Sequence, residues 1–107
     1  MATDEFTPTL EMASAARHGL RLRGKFKRGG TEVGVARAHQ LIAREPLEPR
    51  EVKSMYSYFA RHEVDKKMRT HTWGSDEDPS AGYIAWLLWG GDAGKEWAGR
   101  KRQILAG

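Results

Sequence analysis

The side chains best suited to metal binding or acid–base catalysis are four histidines, His18, His39, His62 and His71. None lies in an H-E-x-x-H sequence or has a second histidine four residues away, the spacing that puts two ligands on one helical face. His62 with Asp65 offers at most half of a metal site. No serine has the surroundings of a hydrolase nucleophile, and the chain has no cysteine. We therefore predict no metal, no cofactor and no enzymatic activity.

The glycine-rich stretch Gly90–Gly94 is a second candidate, because such loops can cradle phosphates. A Walker loop follows a strand and ends in Gly-Lys-Ser or Gly-Lys-Thr. Here an apolar, aromatic segment precedes the stretch, and Gly-Lys-Glu ends it. The G-x-x-G of KH domains also fits, but no strand pattern flanks it and Asp92 would repel a phosphate. We interpret the stretch as a corner, in which Gly90 or Gly91 ends one helix and Asp92 caps the next.

Tryptophans surround this corner at positions 86, 89 and 97. Trp86 and Trp89 lie on adjacent parts of one helical face, which predicts a core position with each indole N–H bonded to a carbonyl or water. Gly94 and Gly99 are predicted to let the following helix pack closely on a neighbour. If Trp86, Trp89 or Trp97 were exposed instead, it would indicate a surface that docks another protein.

Positive charge is segregated along the chain, whose net charge is +4. Basic residues cluster without acids in Arg17–Arg28, and again around Lys66–Arg69 and Arg100–Arg102, whereas acids gather at Asp76–Asp78. Such segregation favours a polyanionic partner, with a merely solvated basic surface as the alternative. The cations predicted to add sequence-independent attraction to nucleic acid are Arg21, Arg23, Lys25, Lys27 and Arg28.

The third predicted helix carries the most specific pattern. Its apolar stripe consists of Val52, Met55, Tyr56 and Phe59. At about 100° per residue, its outer face holds cations and small hydroxyl side chains and no acid. These residues are Arg50, Lys53, Ser54, Ser57 and Arg61. Cations beside short hydroxyl donors suit a helix that lies against phosphates or in a major groove, so Arg50, Lys53 and Arg61 are predicted to contact phosphates.

Helical spacing of apolar residues predicts the elements that position these side chains. Residues 1–8 are predicted as a flexible lead-in, residues 9–107 as a single domain, and residues 65–79 as a long, mobile loop. Four of the predicted helices begin after the caps Thr9, Thr31, Ser80 and Asp92, and the third begins at Pro49. The first helix is predicted to end near Lys25, the second near Arg44 and the fourth near Trp89. The short link Glu45–Glu48 makes the pair at about 31–63 compatible with a helix-turn-helix and equally with an antiparallel hairpin. The predicted fold is all-α, a compact bundle of four to five short helices.

Three segments resemble an uncharacterised family of short proteins from tailed bacteriophages and related metagenomic sequences. They are RGGT leading to GVARA (Arg28–Ala38), YFARHEVDK (Tyr58–Lys66) and SAGYIAWLLWGGDAG (Ser80–Gly94). Relatives often have Ser-Pro where this chain has Glu48-Pro49, so the start of the third helix depends on Pro49. The resemblance implies a phage origin, with roles in DNA binding or virion assembly, and implies no catalytic residues.

These observations predict a small, basic, non-catalytic module that binds nucleic acid, with DNA favoured over RNA. The alternative is a structural or adaptor protein that docks on a capsid, portal or other phage protein through Trp86, Trp89 and Trp97. No run approaches the roughly 18 apolar residues of a bilayer span, and the N-terminus lacks the pattern of a secretory signal. The expected location is therefore the host cytoplasm or the virion, with no membrane partner.

Overall fold

The computed structural model describes residues 5–67 and 71–106, and these residues contain helices and no strand. The helices are α1 (Leu10–Phe26), α2 (Glu32–Ala43), α3 (Pro49–His62), a short 3-10 helix (Glu63–Lys67), α4 (Ala81–Leu88) and α5 (Gly91–Ala106). The predicted all-α bundle of short helices is confirmed. Within the described residues, no helix combines the length and apolar content needed to cross a bilayer.

Helix starts follow local capping chemistry, as predicted. The side-chain oxygens of Thr9, Thr31 and Ser80 accept the backbone N–H three residues ahead, at 3.2, 3.3 and 3.0 Å. Each bond satisfies one of the amides that the first helical turn leaves unpaired. Pro49 is the first residue of α3, where its missing N–H is harmless. The predicted caps of α1, α2 and α4 and the predicted start of α3 are therefore confirmed.

The corner between α4 and α5 has the predicted glycine geometry but not the predicted cap. Gly90 and Gly91 have φ values of 111° and 64°, in the region that favours glycine, and the Gly90 N–H donates to the Leu87 carbonyl at 2.9 Å. The prediction that Asp92 caps α5 is wrong, because α5 already begins at Gly91. Asp92 lies inside the first turn of α5, where its carboxylate accepts hydrogen bonds from the side chains of Trp86 and Lys66.

Aromatic rings fill the centre of the bundle. Trp86, Trp89 and Trp97 are only 1, 7 and 2% exposed. The ring of Tyr58 stacks on that of Trp89, with centroids 4.4 Å apart, and Phe59 meets Trp86 edge to face at 4.8 Å. These offset and edge-to-face arrangements add to the burial of large apolar surfaces. The predicted core position of the tryptophans is confirmed.

The two helices predicted as a candidate helix-turn-helix pair pack on different partners. α2 packs mainly on α1, and α3 packs mainly on α5. Long side chains bridge α2 and α3, since Gln40 Nε2 donates to Glu51 Oε2 at 2.8 Å and Arg37 Nη1 lies 3.3 Å from the same oxygen. Polar side chains therefore join the two helices, while each buries its apolar face mainly against another helix. A helix-turn-helix at residues 31–63 stays a prediction.

Two segments predicted as flexible are tied to the bundle where the structure describes them. Residues 5–8 of the predicted lead-in are held because the Leu47 N–H donates to the Phe6 carbonyl at 2.9 Å and Pro8 is fully buried. In the predicted loop, residues 65–67 belong to the 3-10 helix, and Asp76 bonds to His18 at 2.8 Å. Residues 1–4, 68–70 and 107 lie outside the described residues.

Close helix contact at the corner predicts opposite effects for two glycines of α5. A Cβ added at Gly94 would lie 2.7 Å from the Trp89 carbonyl oxygen, whereas nothing lies within 4 Å of one added at Gly99. The prediction that Gly99 permits close contact is therefore wrong. We expect Gly94→Ala to lower the free energy of unfolding by about 1–3 kcal/mol. The matched Gly99→Ala should raise it by about 0.5–1 kcal/mol, because alanine loses less backbone entropy in a helix. Urea denaturation measures both, and equal effects would contradict the proposed contact.

Candidate nucleic-acid interface

A groove runs between α3 and α5, which pack side by side. It consists of two adjoining cavities of about 590 and 480 Å³, both lined by Tyr56 and Arg102. The cations that line it are Lys53, Lys66, Lys95, Arg100 and Arg102. Two acids, Asp92 and Glu96, also line the larger cavity. The groove therefore gathers basic residues that are distant in sequence.

All five residues predicted on the outer face of α3 are exposed. Lys53 and Ser57 line the groove, and Arg50, Ser54 and Arg61 lie on the exposed surface of the same helix. Arg50 has an ion-pair partner, because its Nη2 lies 3.0 Å from Oε1 of Glu48, the residue just before the helix. Both side chains are well exposed, at 84 and 62%, so the pair is weak, but it places a carboxylate beside the predicted phosphate contacts.

Tyr56, which was predicted in the apolar stripe of α3, is not buried with the other residues of that stripe. Its side chain lies at the edge of the apolar stripe and the residue is 39% exposed. The guanidinium carbon of Arg102 sits 4.4 Å from the centre of its ring, a cation–π contact between α3 and α5. Sequence reasoning noted the Arg100–Arg102 cluster but had no signal that α5 would bring it beside α3.

Two of the groove's lysines are neutralised. Lys66 Nζ lies 3.2 Å from both Glu63 Oε2 and Asp92 Oδ1, and Lys95 Nζ donates to Glu63 Oε1 at 2.6 Å. Burial lowers the pKa of Lys66, but the bonds to Asp92 and Glu63 outweigh it and raise that pKa above its ordinary value. Within residues 5–67 and 71–106, Lys53, Arg100 and Arg102 form no ion pair. These three cations and one acid, Glu96, are the groove-lining charges that have no ion pair among the described residues.

Asp92 serves the core rather than a ligand. The indole Nε1 of the buried Trp86 donates to Asp92 Oδ1 at 2.9 Å, and the Lys66 ammonium lies 4.5 Å from the Trp86 ring centre. Burial raises the pKa of Asp92, but the bonds from Trp86 and Lys66 more than offset it and leave that pKa below its ordinary value. The carboxylate therefore stays charged at neutral pH and satisfies the indole N–H.

The cations predicted in the Arg17–Arg28 cluster separate into two groups. Arg21 and Lys25 are exposed on α1. Arg23, Lys27 and Arg28 line a different cavity of about 440 Å³ at the bend between α1 and α2. Arg28 also anchors the 71–79 segment, because its Nη1 donates to the Pro79 carbonyl at 2.9 Å and to Asp78 at 3.2 Å.

The other residues considered from the sequence are the histidines, as metal ligands, and the tryptophans, as a docking surface. His62 Nδ1 lies 3.1 Å from Asp65 Oδ2, and among the described residues no three histidine or acidic side chains are grouped to hold a metal. The indoles of Trp86, Trp89 and Trp97 are buried in the core, so they present no surface to a docking partner. Comparison of the chain with protein-family models, with curated proteins and with solved structures gives no match.

The bond between Trp86 and Asp92 predicts a pH-dependent contribution to stability. Asp92→Ala should lower the free energy of unfolding by about 1–2 kcal/mol, because the buried indole N–H loses its acceptor. Asp92→Asn keeps an amide oxygen there and should cost about 0.5 kcal/mol, a small value because Asp92 is 74% exposed.

The pH range follows from the sign of the shift. Because the pKa of Asp92 is lowered by folding, the ionic contribution is fully present above the ordinary value of 3.8 and is lost as pH falls below it. Denaturation of wild type and Asp92→Asn from pH 7 to pH 2 should therefore give curves that converge in acid. Curves that stay parallel would show that the charge contributes nothing.

Proposed function

We propose that this protein is a small non-catalytic module that binds nucleic acid, with DNA favoured over RNA, in the groove between α3 and α5. The observation that carries the proposal is the convergence of Lys53, Arg100 and Arg102 on one exposed groove with their charges unpaired. Phosphate contacts by lysine and arginine supply most of the sequence-independent affinity of proteins for nucleic acid.

The two walls of the groove would act together on a phosphate backbone. Lys53 approaches from α3 and the arginines from α5, and the Ser57 hydroxyl can donate a further hydrogen bond. Arg50, Ser54 and Arg61 would extend the contact along the outer surface of α3, and Arg21 and Lys25 on α1 would add long-range attraction.

The half-exposed Tyr56 ring favours the groove over a flat basic surface. Its contact with Arg102 holds the guanidinium against the ring. An immobilised arginine loses less side-chain entropy when it binds a phosphate, and its planar group can make two parallel hydrogen bonds to phosphate oxygens.

The resemblance to short phage proteins supports a role in the infected host's cytoplasm or in the virion. A DNA-binding module fits either place. The alternative role, docking on a capsid, portal or other phage protein, relied on Trp86, Trp89 and Trp97. Their burial removes the surface that this role needed, so nucleic-acid binding is the function we propose.

Charge removal from the groove tests the proposal. We expect the double variant Lys53→Ala/Arg102→Ala to bind labelled duplex DNA more weakly and to reduce the slope of log K against log salt by about 2, one for each lost phosphate contact. Titrations at several salt concentrations by fluorescence anisotropy measure both. Single-stranded DNA and RNA of the same sequence give the preference among nucleic acids.

The matched control removes the same charge elsewhere. Arg17→Ala/Lys67→Ala changes two exposed cations that do not line the groove and should leave the salt slope close to that of wild type. If both double variants lose the same affinity, general charge rather than the groove is responsible. Absence of binding by the wild type at low salt would rule out the proposed function.

The wider face of α3 is tested by the triple variant Arg50→Ala/Lys53→Ala/Arg61→Ala. Because Glu48 already offsets Arg50, we expect most of the loss to come from Lys53 and Arg61. The single variant Arg50→Ala should accordingly weaken binding less than Lys53→Ala does, because the carboxylate of Glu48 lies beside Arg50 and no acid pairs with Lys53. An unchanged affinity in the triple variant would remove this face from the mechanism.

A further inference from the structure

The bend between α1 and α2 contains a basic cavity that the groove does not include. Its volume is about 440 Å³, and it is lined by Arg23, Gly24, Lys27, Arg28, Gly29 and Gly30. Half of these residues are cations and none is an acid. We infer that this cavity is a binding site for a single phosphate group. The inference goes beyond the proposed function, because such a site needs neither α3 nor α5.

The backbone of the bend adds donors to the cations. Lys27, Gly29 and Gly30 have φ values of 56°, 88° and 78°. Among the described residues, the backbone N–H groups of Arg28, Gly29 and Gly30 donate to no backbone carbonyl. Successive N–H groups in turns that include left-handed residues form concave sites for anions.

The arginines are held in place by bonds that leave most of their donors available. Arg23 Nε donates to the Gly29 carbonyl at 2.9 Å, which holds its guanidinium against the bend. The hydrogen bonds that Arg28 makes within the described residues, to Asp78, the Pro79 carbonyl and His71, all use Nη1. Asp78 offsets part of the charge of Arg28, so Lys27 and Arg23 supply most of the positive potential.

This donor set suits a phosphate better than a carboxylate. Guanidinium groups match the spacing of phosphate oxygens, and several cations together favour an anion of more than one negative charge. The volume lies within the range of pockets that hold small ligands. It therefore admits either a free phosphate or a phosphate attached to a larger molecule, such as the backbone of a nucleic acid.

Substitutions at the bend must separate binding from folding. A Cβ added at Gly29 or Gly30 would lie 2.6 Å from Ile84 Cβ or 2.5 Å from Leu88 Cδ1, so these glycines are needed for the fold. Gly24 has nothing within 4 Å of an added Cβ. Lys27 has a left-handed backbone that glycine adopts more readily than lysine, so Lys27→Gly removes a cation while it relieves strain.

The test titrates inorganic phosphate into ¹⁵N-labelled full-length protein at low salt and follows the backbone amide signals. We expect saturable shifts concentrated at residues 27–30. Lys27→Gly should weaken phosphate binding by about tenfold or more and at the same time raise Tm by about 4 °C. This combination cannot come from unfolding. Gly24→Glu, which introduces a carboxylate beside the cavity, should abolish binding, and its matched control Gly24→Ala should bind as wild type does.

The outcomes separate this site from the groove. Phosphate binding that survives in Lys53→Ala/Arg102→Ala supports an independent pocket, whether or not that variant still binds DNA. Displacement of bound phosphate by duplex DNA would assign the pocket to a backbone phosphate, and its retention would assign it to a free phosphate group. Shifts that are absent or spread evenly over the basic surface would overturn the inference, as would wild-type affinity in both Lys27→Gly and Gly24→Glu.

Discussion

The contact between Gly94 and the Trp89 carbonyl is the constraint on which the rest of the molecule depends. Because Gly94 has no side chain, α5 can turn back directly against the end of α4. The two left-handed glycines at Gly90 and Gly91 make this reversal inexpensive for the backbone. The reversal puts Trp97 into the same core as Trp86 and Trp89 and directs α5 along α3. The groove between α3 and α5 lies along the path that this reversal gives to α5.

Burial of the indoles determines which charged side chains on the surface remain without an ion-pair partner. The buried indole N–H of Trp86 needs an acceptor and donates to Asp92, which also forms an ion pair with Lys66. Glu63 forms ion pairs with Lys66 and Lys95. Each of these acids compensates a cation that would otherwise face the groove. The unpaired cations of the groove are Lys53, Arg100 and Arg102, which line it together with Tyr56, and the nucleic-acid contact is proposed there.

The two basic surfaces differ in how they are built. In the groove, the cations come from two helices and depend on long-range contact between α3 and α5. At the bend, Arg23, Lys27 and Arg28 are close in sequence, and a local change of backbone direction brings them to one cavity. The first surface suits an extended polyanion, and the second suits one compact anion.

Local chemistry made much of this structure predictable from the sequence. Thr9, Thr31 and Ser80 cap the helices they precede, Pro49 begins α3, and the glycines of the 90–94 stretch form a corner, because these preferences act within one helical turn. The apolar periodicity likewise identified most of the core face of α3. Tyr56, which is exposed, and Tyr58, which is buried, are the exceptions. A residue at the margin of an apolar stripe is buried or exposed according to what lies next to it. The cations of α3 that were predicted on its outer face are exposed in the structure.

Contacts between distant residues could be decided only by the tertiary structure. The sequence by itself determined an all-α chain with basic segments and an aromatic corner. It did not determine that Arg102 would lie on Tyr56, that Glu63 and Asp92 would neutralise Lys66, or that α2 and α3 would pack on different helices. The physical reason is that helix signals are local, whereas the choice of partner depends on how all the apolar faces can be buried together. The availability of a charged side chain follows from that choice and not from its position in the sequence.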